Sequence, residues 1–160
     1  MTETQKELLI EMVLNQWKSS NKRIEKVFDS ITEKQFSTPI AKDSNTAGWL
    51  LCHITSVNDN LFPLLDIGDL MYPHLSSLLG KKELYPKDGI TVSELKDAWV
   101  SINLKLEKSF SNMAPGQWFE RHTSVSEEDF KKEPHRNKLN VLMSRTNHQA
   151  HHAGQLALIK

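Results

Sequence analysis

Residues 91–113 read TVSELKDAWVSINLKLEKSFSNM, and this stretch decides the fold class. Leu95, Trp99, Ile102, Leu106, Phe110 and Met113 recur every three or four residues, which places them on one stripe of an α-helix. Thr91 and Glu94 have capping-box spacing, in which each side chain satisfies a backbone N–H left free in the first turn. The spacing predicts a helix that starts after Thr91 and runs to about Met113.

The same periodicity recurs on either side. Leu9, Val13, Trp17, Ile24, Phe28 and Ile31 predict a long helix over about 4–31. The stretch FSTPIAKDSN (36–45) marks a connection through Pro39 and the polar residues after it. A second helix is expected from Ser44 or Asn45, either of which can cap it, with Trp49, Leu50, His53, Val57 and Leu61 on one face and Pro63 near its end. Between 63 and 90, Pro73 interrupts a short helical stretch, and Pro86, Asp88 and Gly89 read as a turn. Residues 114–137 are polar, contain Pro115, Gly116 and Pro134, and read as a long loop with little regular structure. A last helix is expected from about Arg136 to the end. Four long helices and no strand alternation predict one all-α domain over 1–160, an antiparallel four-helix bundle with connections long enough to hold short extra helices or to cross its ends.

Composition narrows the function classes. Lys plus Arg and Asp plus Glu are 20 each, so no basic excess is available for a phosphate backbone, and nucleic acid is not an expected partner. The single Cys52 allows no internal disulfide. The start, MTETQKELLIEMVLNQW, has no basic stretch followed by an apolar run, and no stretch approaches the apolar length of a membrane span, so a cytoplasmic protein is expected.

The histidines carry the chemistry. His148 and His152 in NHQAHHAGQL are four residues apart, one helical turn, so both imidazoles can reach one ion. Seven histidines in 160 residues also produce such a spacing by chance, so it does not decide the matter alone. Gln149 stands where a zinc protease needs a glutamate base, and an amide cannot take that proton. His151 points about 100° away from His152 and is not expected to share an ion with it. Val141, His148, His152, Gln155 and Ile159 fall on one side of the helix. Leu139, Met143, Ala150, Ala153 and Ala157 fall on roughly the other, a face that a neighbouring helix or a second subunit would cover. His53 lies in the apolar stripe of the second helix; alone it reads as a core histidine with one hydrogen bond, but facing an H-x3-H pair it completes a three-nitrogen site with open positions. Cys52 reads as a buried inert thiol, Gly154 as a point of close approach, and Trp118, His122 and His135 as loop residues that either border a pocket or lie on the plain surface.

Trp49-Leu50-Leu51-Cys52-His53 resembles the W-x3-H signature of the DinB/YfiT-like superfamily, and His148, His152, Gly154 and Gln155 resemble its closing H-x3-H-x-G-Q signature. The order of the motifs and their separation fit as well. The resemblance implies a four-helix bundle, His53, His148 and His152 as ligands of a divalent metal of the Zn, Ni or Fe/Mn class, and a homodimer. It also implies a small-molecule substrate, with a low-molecular-weight thiol as one candidate. Gln155, one turn beyond His152, is expected to bond a metal-bound group or to support a ligand. Two functions follow: a metal-dependent enzyme, either a thiol S-transferase or a hydrolase, or a non-catalytic metal- or small-molecule-binding stress protein.

Overall fold

The computed structural model describes residues 1–79 and 90–159. Helix α1 spans Glu3–Ser30, α2 Glu33–Phe36, α3 Ala47–Asp59, α4 Leu61–Leu64 and α5 His74–Leu78. Helix α6 spans Val92–Ser111; a 3-10 turn over Pro115–Phe119 and α7 over Glu127–Lys132 follow, and α8 spans Lys138–Leu156. No strand forms among the described residues, only isolated bridges at Pro39–Thr46 and Arg121–Asn137. The turn expected at Pro86, Asp88 and Gly89 lies outside the described residues.

Side chains that cap the first turns set where the helices begin. Thr91 accepts from the Glu94 N–H at 3.2 Å while the Glu94 carboxylate accepts from the Thr91 N–H at 2.8 Å, the expected capping box. The cap of α3 is Thr46, which accepts from the Trp49 N–H at 3.1 Å; Ser44 is instead spent on a turn with Ala41. Asn137 caps α8 through the Asn140 N–H, one residue past the expected start at Arg136.

The long helices are not all antiparallel to their neighbours. Phe28 meets Trp99 and Trp17 meets Phe110, so α1 and α6 run in opposite directions. Asn58 meets Asn103 and Lys105 lies over the Phe62 ring, so α3 and α6 run the same way. His53 faces His148 and His152, while Leu64 shares a cavity with Val141, so α3 and α8 are antiparallel. The order is therefore up-down-down-up, and the long connection between α3 and α6 carries the chain back along the bundle. That crossover replaces the simple antiparallel arrangement the periodicity suggested.

Two apolar clusters fill the bundle. One gathers Ile24, Phe28, Leu51, Ile54, Leu95, Trp99 and Leu156; the other Val13, Trp17, Leu61, Phe62, Ile102, Leu106, Phe110 and Leu142. Between them lies a chain of buried amides with one member from each long helix. Asn21 of α1 and Asn58 of α3 both donate to Asn103 Oδ1 of α6, at 3.1 and 2.8 Å. Gln149 of α8 donates to Asn58 Oδ1 at 2.7 Å, and Asn103 Nδ2 donates to the Trp99 carbonyl at 2.8 Å. Buried amides that bond across helices hold the four in one register, because sliding any helix breaks these bonds inside the core.

Several expectations are corrected. The segment 114–137 holds a 3-10 turn and the short helix α7 within its loop, and Trp118 is a core residue at 1% exposure, packed on Phe110 with ring centroids 5.2 Å apart. The expected second face of α8 is split: Leu139 is buried and Ala153 packs on the core, while Met143, Ala150 and Ala157 are exposed. The buried arc of the helix runs instead through Leu142, Thr146, Gln149 and Leu156. Gly154 admits no close approach, since a Cβ there would meet nothing within 4 Å. Gly48 is the glycine the packing requires: a Cβ there would lie 2.7 Å from the Phe36 ring. Cys52 is fully buried as expected, and burial pushes its thiol up to about 12.

Candidate metal centre

Trp49 and His53 are four residues apart on α3, and their rings stack with centroids 5.1 Å apart at 16°. The Trp49 indole is itself anchored by its N–H, which donates to the Leu79 carbonyl at 3.1 Å. The W-x3-H spacing thus has a physical content: the tryptophan fixes the plane of the histidine ring. Across the groove, His148 and His152 present their rings one turn apart on α8 with centroids separated by 4.5 Å.

The three rings converge through the same atom. His148 Nε2 lies 3.1 Å from His53 Nε2 and 3.0 Å from His152 Nε2. Donor atoms of the three residues all fall within 4.8 Å of one another, close enough to hold a metal ion. Among the described residues no other group of three such side chains does so.

The tautomer of His152 follows from its partner. Gln155 offers its amide oxygen to His152 Nδ1 at 2.6 Å, and an oxygen only accepts, so Nδ1 carries the proton and Nε2 is left with its lone pair toward the cluster. Hydrogen bonding of the far ring nitrogen is how proteins orient metal-binding imidazoles. His148 Nδ1 has no comparable partner; it is buried without a hydrogen bond among the described residues.

Electrostatics keep the cluster neutral. Burial lowers the His148 pKa to about 4, with the neighbouring His152, His53, Arg145 and His151 adding to the effect. His53 is lowered by burial, then by His152 and Arg145. His152 is lowered by burial, against an opposing contribution from Gln155. Three crowded neutral imidazoles whose ring nitrogens meet at one point suit a divalent cation, which takes the lone pairs that the rings cannot satisfy among themselves.

One wall beside His53 is a cavity of about 240 Å³ that includes Val57, Leu70, Tyr72 and Leu79. Its shape depends on Asp59, buried at the end of α3, whose two carboxylate oxygens accept the backbone N–H groups of Met71 and Tyr72 at 2.9 and 2.8 Å. The sequence reading did not single out Asp59, nor the Gln149–Asn58 bond that ties α3 to α8. The available signal for the first was that Asp59 is the one acidic residue of α3 and lies in its last turn.

The remaining histidines lie apart from the cluster. His151 is exposed, with its ring 5.1 Å from that of His152. His74 and His135 are exposed, whereas His122 lines a separate cavity with Arg136 and Arg145. No helix among the described residues is long and apolar enough to cross a membrane.

The model of the DinB family matches residues 1–159, and no curated protein matches the chain. With the match spanning nearly every residue, the chain belongs to the DinB family.

Proposed function

We propose that this DinB-family chain holds one divalent metal ion through His53, His148 and His152 and works on a small-molecule substrate as a metal-dependent enzyme. Transfer to or from a low-molecular-weight thiol is the reaction we favour over hydrolysis. The observation that carries the reading is the meeting of three Nε2 atoms at 3.0–3.1 Å on two facing helices. A cation bound there supplies Lewis acidity, lowering the pKa of a coordinated thiol or water enough to make a nucleophile near neutral pH.

The protein's own residues support that use in distinct ways. Trp49 holds the His53 ring by stacking, and Gln155 holds the proton of His152 on Nδ1. Asp59 fixes the loop bearing Tyr72, which forms an apolar wall where the uncharged part of a substrate would rest. Among the described residues no carboxylate belongs to the histidine cluster, so in this reading deprotonation of the nucleophile is left to the ion and solvent. Imidazole donors suit Zn, Ni and Fe, and among these we favour Zn or Ni for thiolate chemistry. As part of the same reading we place the protein in the cytoplasm, and as a homodimer. The support for the dimer is the exposure of Leu8, Met12 and Met143 on the α1–α8 side.

Elemental analysis of tag-free protein tests the site. His148→Ala should lose most of the ion, while His135→Ala and His74→Ala should retain it; equal content in all three defeats the assignment. A thiol panel on the cobalt-substituted form tests the chemistry. A thiol that enters the coordination sphere adds a charge-transfer band; no spectral change with any thiol leaves only a metal-binding bundle.

A further inference from the structure

We infer that the α8 groove one turn from the histidine cluster is a subsite for an oxyanion, and that Arg145, assisted by His122 and Arg136, receives a carboxylate or phosphate group carried by a small-molecule ligand. The cavity measures about 300 Å³ and its walls include Leu64, His122, Ser124, Arg136, Ser144 and Arg145. None of its lining residues is acidic, although acids and bases balance over the whole chain.

The arginines are not equivalent. Arg136 already gives one donor to Glu133 at 3.2 Å, which leaves most of its five N–H groups uncommitted. Arg145 is half-buried and makes no ion pair among the described residues. Its planar guanidinium is therefore available to an anionic ligand. His122 has a defined polarity as well: its Nδ1 accepts the Ser124 N–H at 3.3 Å, so the neutral ring turns a donor, Nε2–H, outward. A planar guanidinium, an imidazole N–H and the hydroxyls of Ser124 and Ser144 form a donor set matched to a carboxylate or phosphate.

Arg145 also links this cavity to the histidines. It precedes His148 by three residues, hence lies on the same side of α8. A ligand with its oxyanion on Arg145 would therefore lie within a helical turn of the cluster. In the proposed function this makes the substrate an anion; that step rests on the metal-site reading, whereas binding of the oxyanion itself does not.

The test separates the two. Metal-free protein, prepared with a chelator, is titrated with inorganic phosphate and with succinate by calorimetry, while the His122 ring protons are followed by NMR. The expected result is binding of at least one probe in the millimolar range or tighter, a shift of the His122 ring signals, and affinity about tenfold weaker in Arg145→Leu, with Arg145→Lys between the two. The preference between phosphate and succinate identifies which oxyanion the site takes. Metal content is measured on the same variants and should be unchanged, so loss of the metal assignment would leave this result standing. No binding of either probe to the wild-type chain overturns the proposal. Equal affinity in a folded Arg145→Leu variant, or binding that leaves the His122 signals unmoved, does so as well.

Discussion

Replacing His148 with Gln should flatten the acid dependence of stability in the metal-free protein. His148 is the ring for which burial and neighbouring positive charge depress protonation most, to about 4 from an ordinary value of 6.5. Because the folded pKa lies below the unfolded one, the unfolded chain binds the proton more readily throughout that interval. Stability is therefore complete above about pH 6.5 and falls as the pH drops toward 4, after which the loss levels off. The full interval at about 1.4 kcal/mol per unit gives a ceiling of roughly 3 kcal/mol. The ring is only partly buried and solvent screens it, so about 2 kcal/mol is the expected loss.

Urea unfolding followed by circular dichroism, in chelator and at several pH values across that interval, measures it. Wild type should lose about 2 kcal/mol more than His148→Gln between neutral pH and the acid end. Comparing the two slopes removes the carboxylates, which titrate in both proteins. Parallel curves would show that His148 is solvated or already paired in the folded state, and would refute the picture of a neutral, crowded cluster. A divalent ion added near neutral pH should raise the urea midpoint of the wild type, and this increment should vanish over the same interval, because a protonated imidazole is no ligand.

Four further outcomes follow from particular positions. Asn103→Ala removes the acceptor shared by Asn21 and Asn58 and should cost about 3 kcal/mol in urea unfolding, because it leaves two buried amide donors dry. Gly48→Ala drives a Cβ into the Phe36 ring and should destabilise by about 1–3 kcal/mol, whereas Gly154→Ala meets open space in a helix and should stabilise by up to about 1 kcal/mol, both read as shifts in thermal midpoint. Gln155→Leu frees the His152 ring to change tautomer and should weaken metal affinity about tenfold, measured by competition with a chromophoric chelator; an unchanged affinity would make the Gln155 bond incidental.

The sequence displays most openly what repeats or what chemistry spaces regularly. The stripe Leu95–Trp99–Ile102–Leu106–Phe110 was readable because each member is buried for the same reason, and the Thr91–Glu94 box because capping is local. The histidines were readable as a pair because one turn of helix links spacing to direction; His53 joined them through an apolar stripe and a family resemblance, not through any local rule. Long-range closure was out of reach. Nothing near residue 60 states that α3 and α6 run parallel, because that depends on which helix the crossover sets beside which. Trp118 looked like a loop residue because its partners, Phe110 and the α1–α8 end of the bundle, lie outside the segment around it. The amide chain was hidden for a different reason. Asn21 sits between Trp17 and Ile24, and Asn103 beside Ile102, at positions where a polar residue reads as an interruption of the stripe. The interruptions make sense only jointly, since Asn21, Asn58, Asn103 and Gln149 bond to one another across four helices. The same holds for the histidine cluster: Gln149, next to His148 in sequence, bonds Asn58 and so ties α8 to the helix that carries His53. The register that lets three imidazoles meet at one point is thereby set by polar residues whose burial would otherwise be a cost.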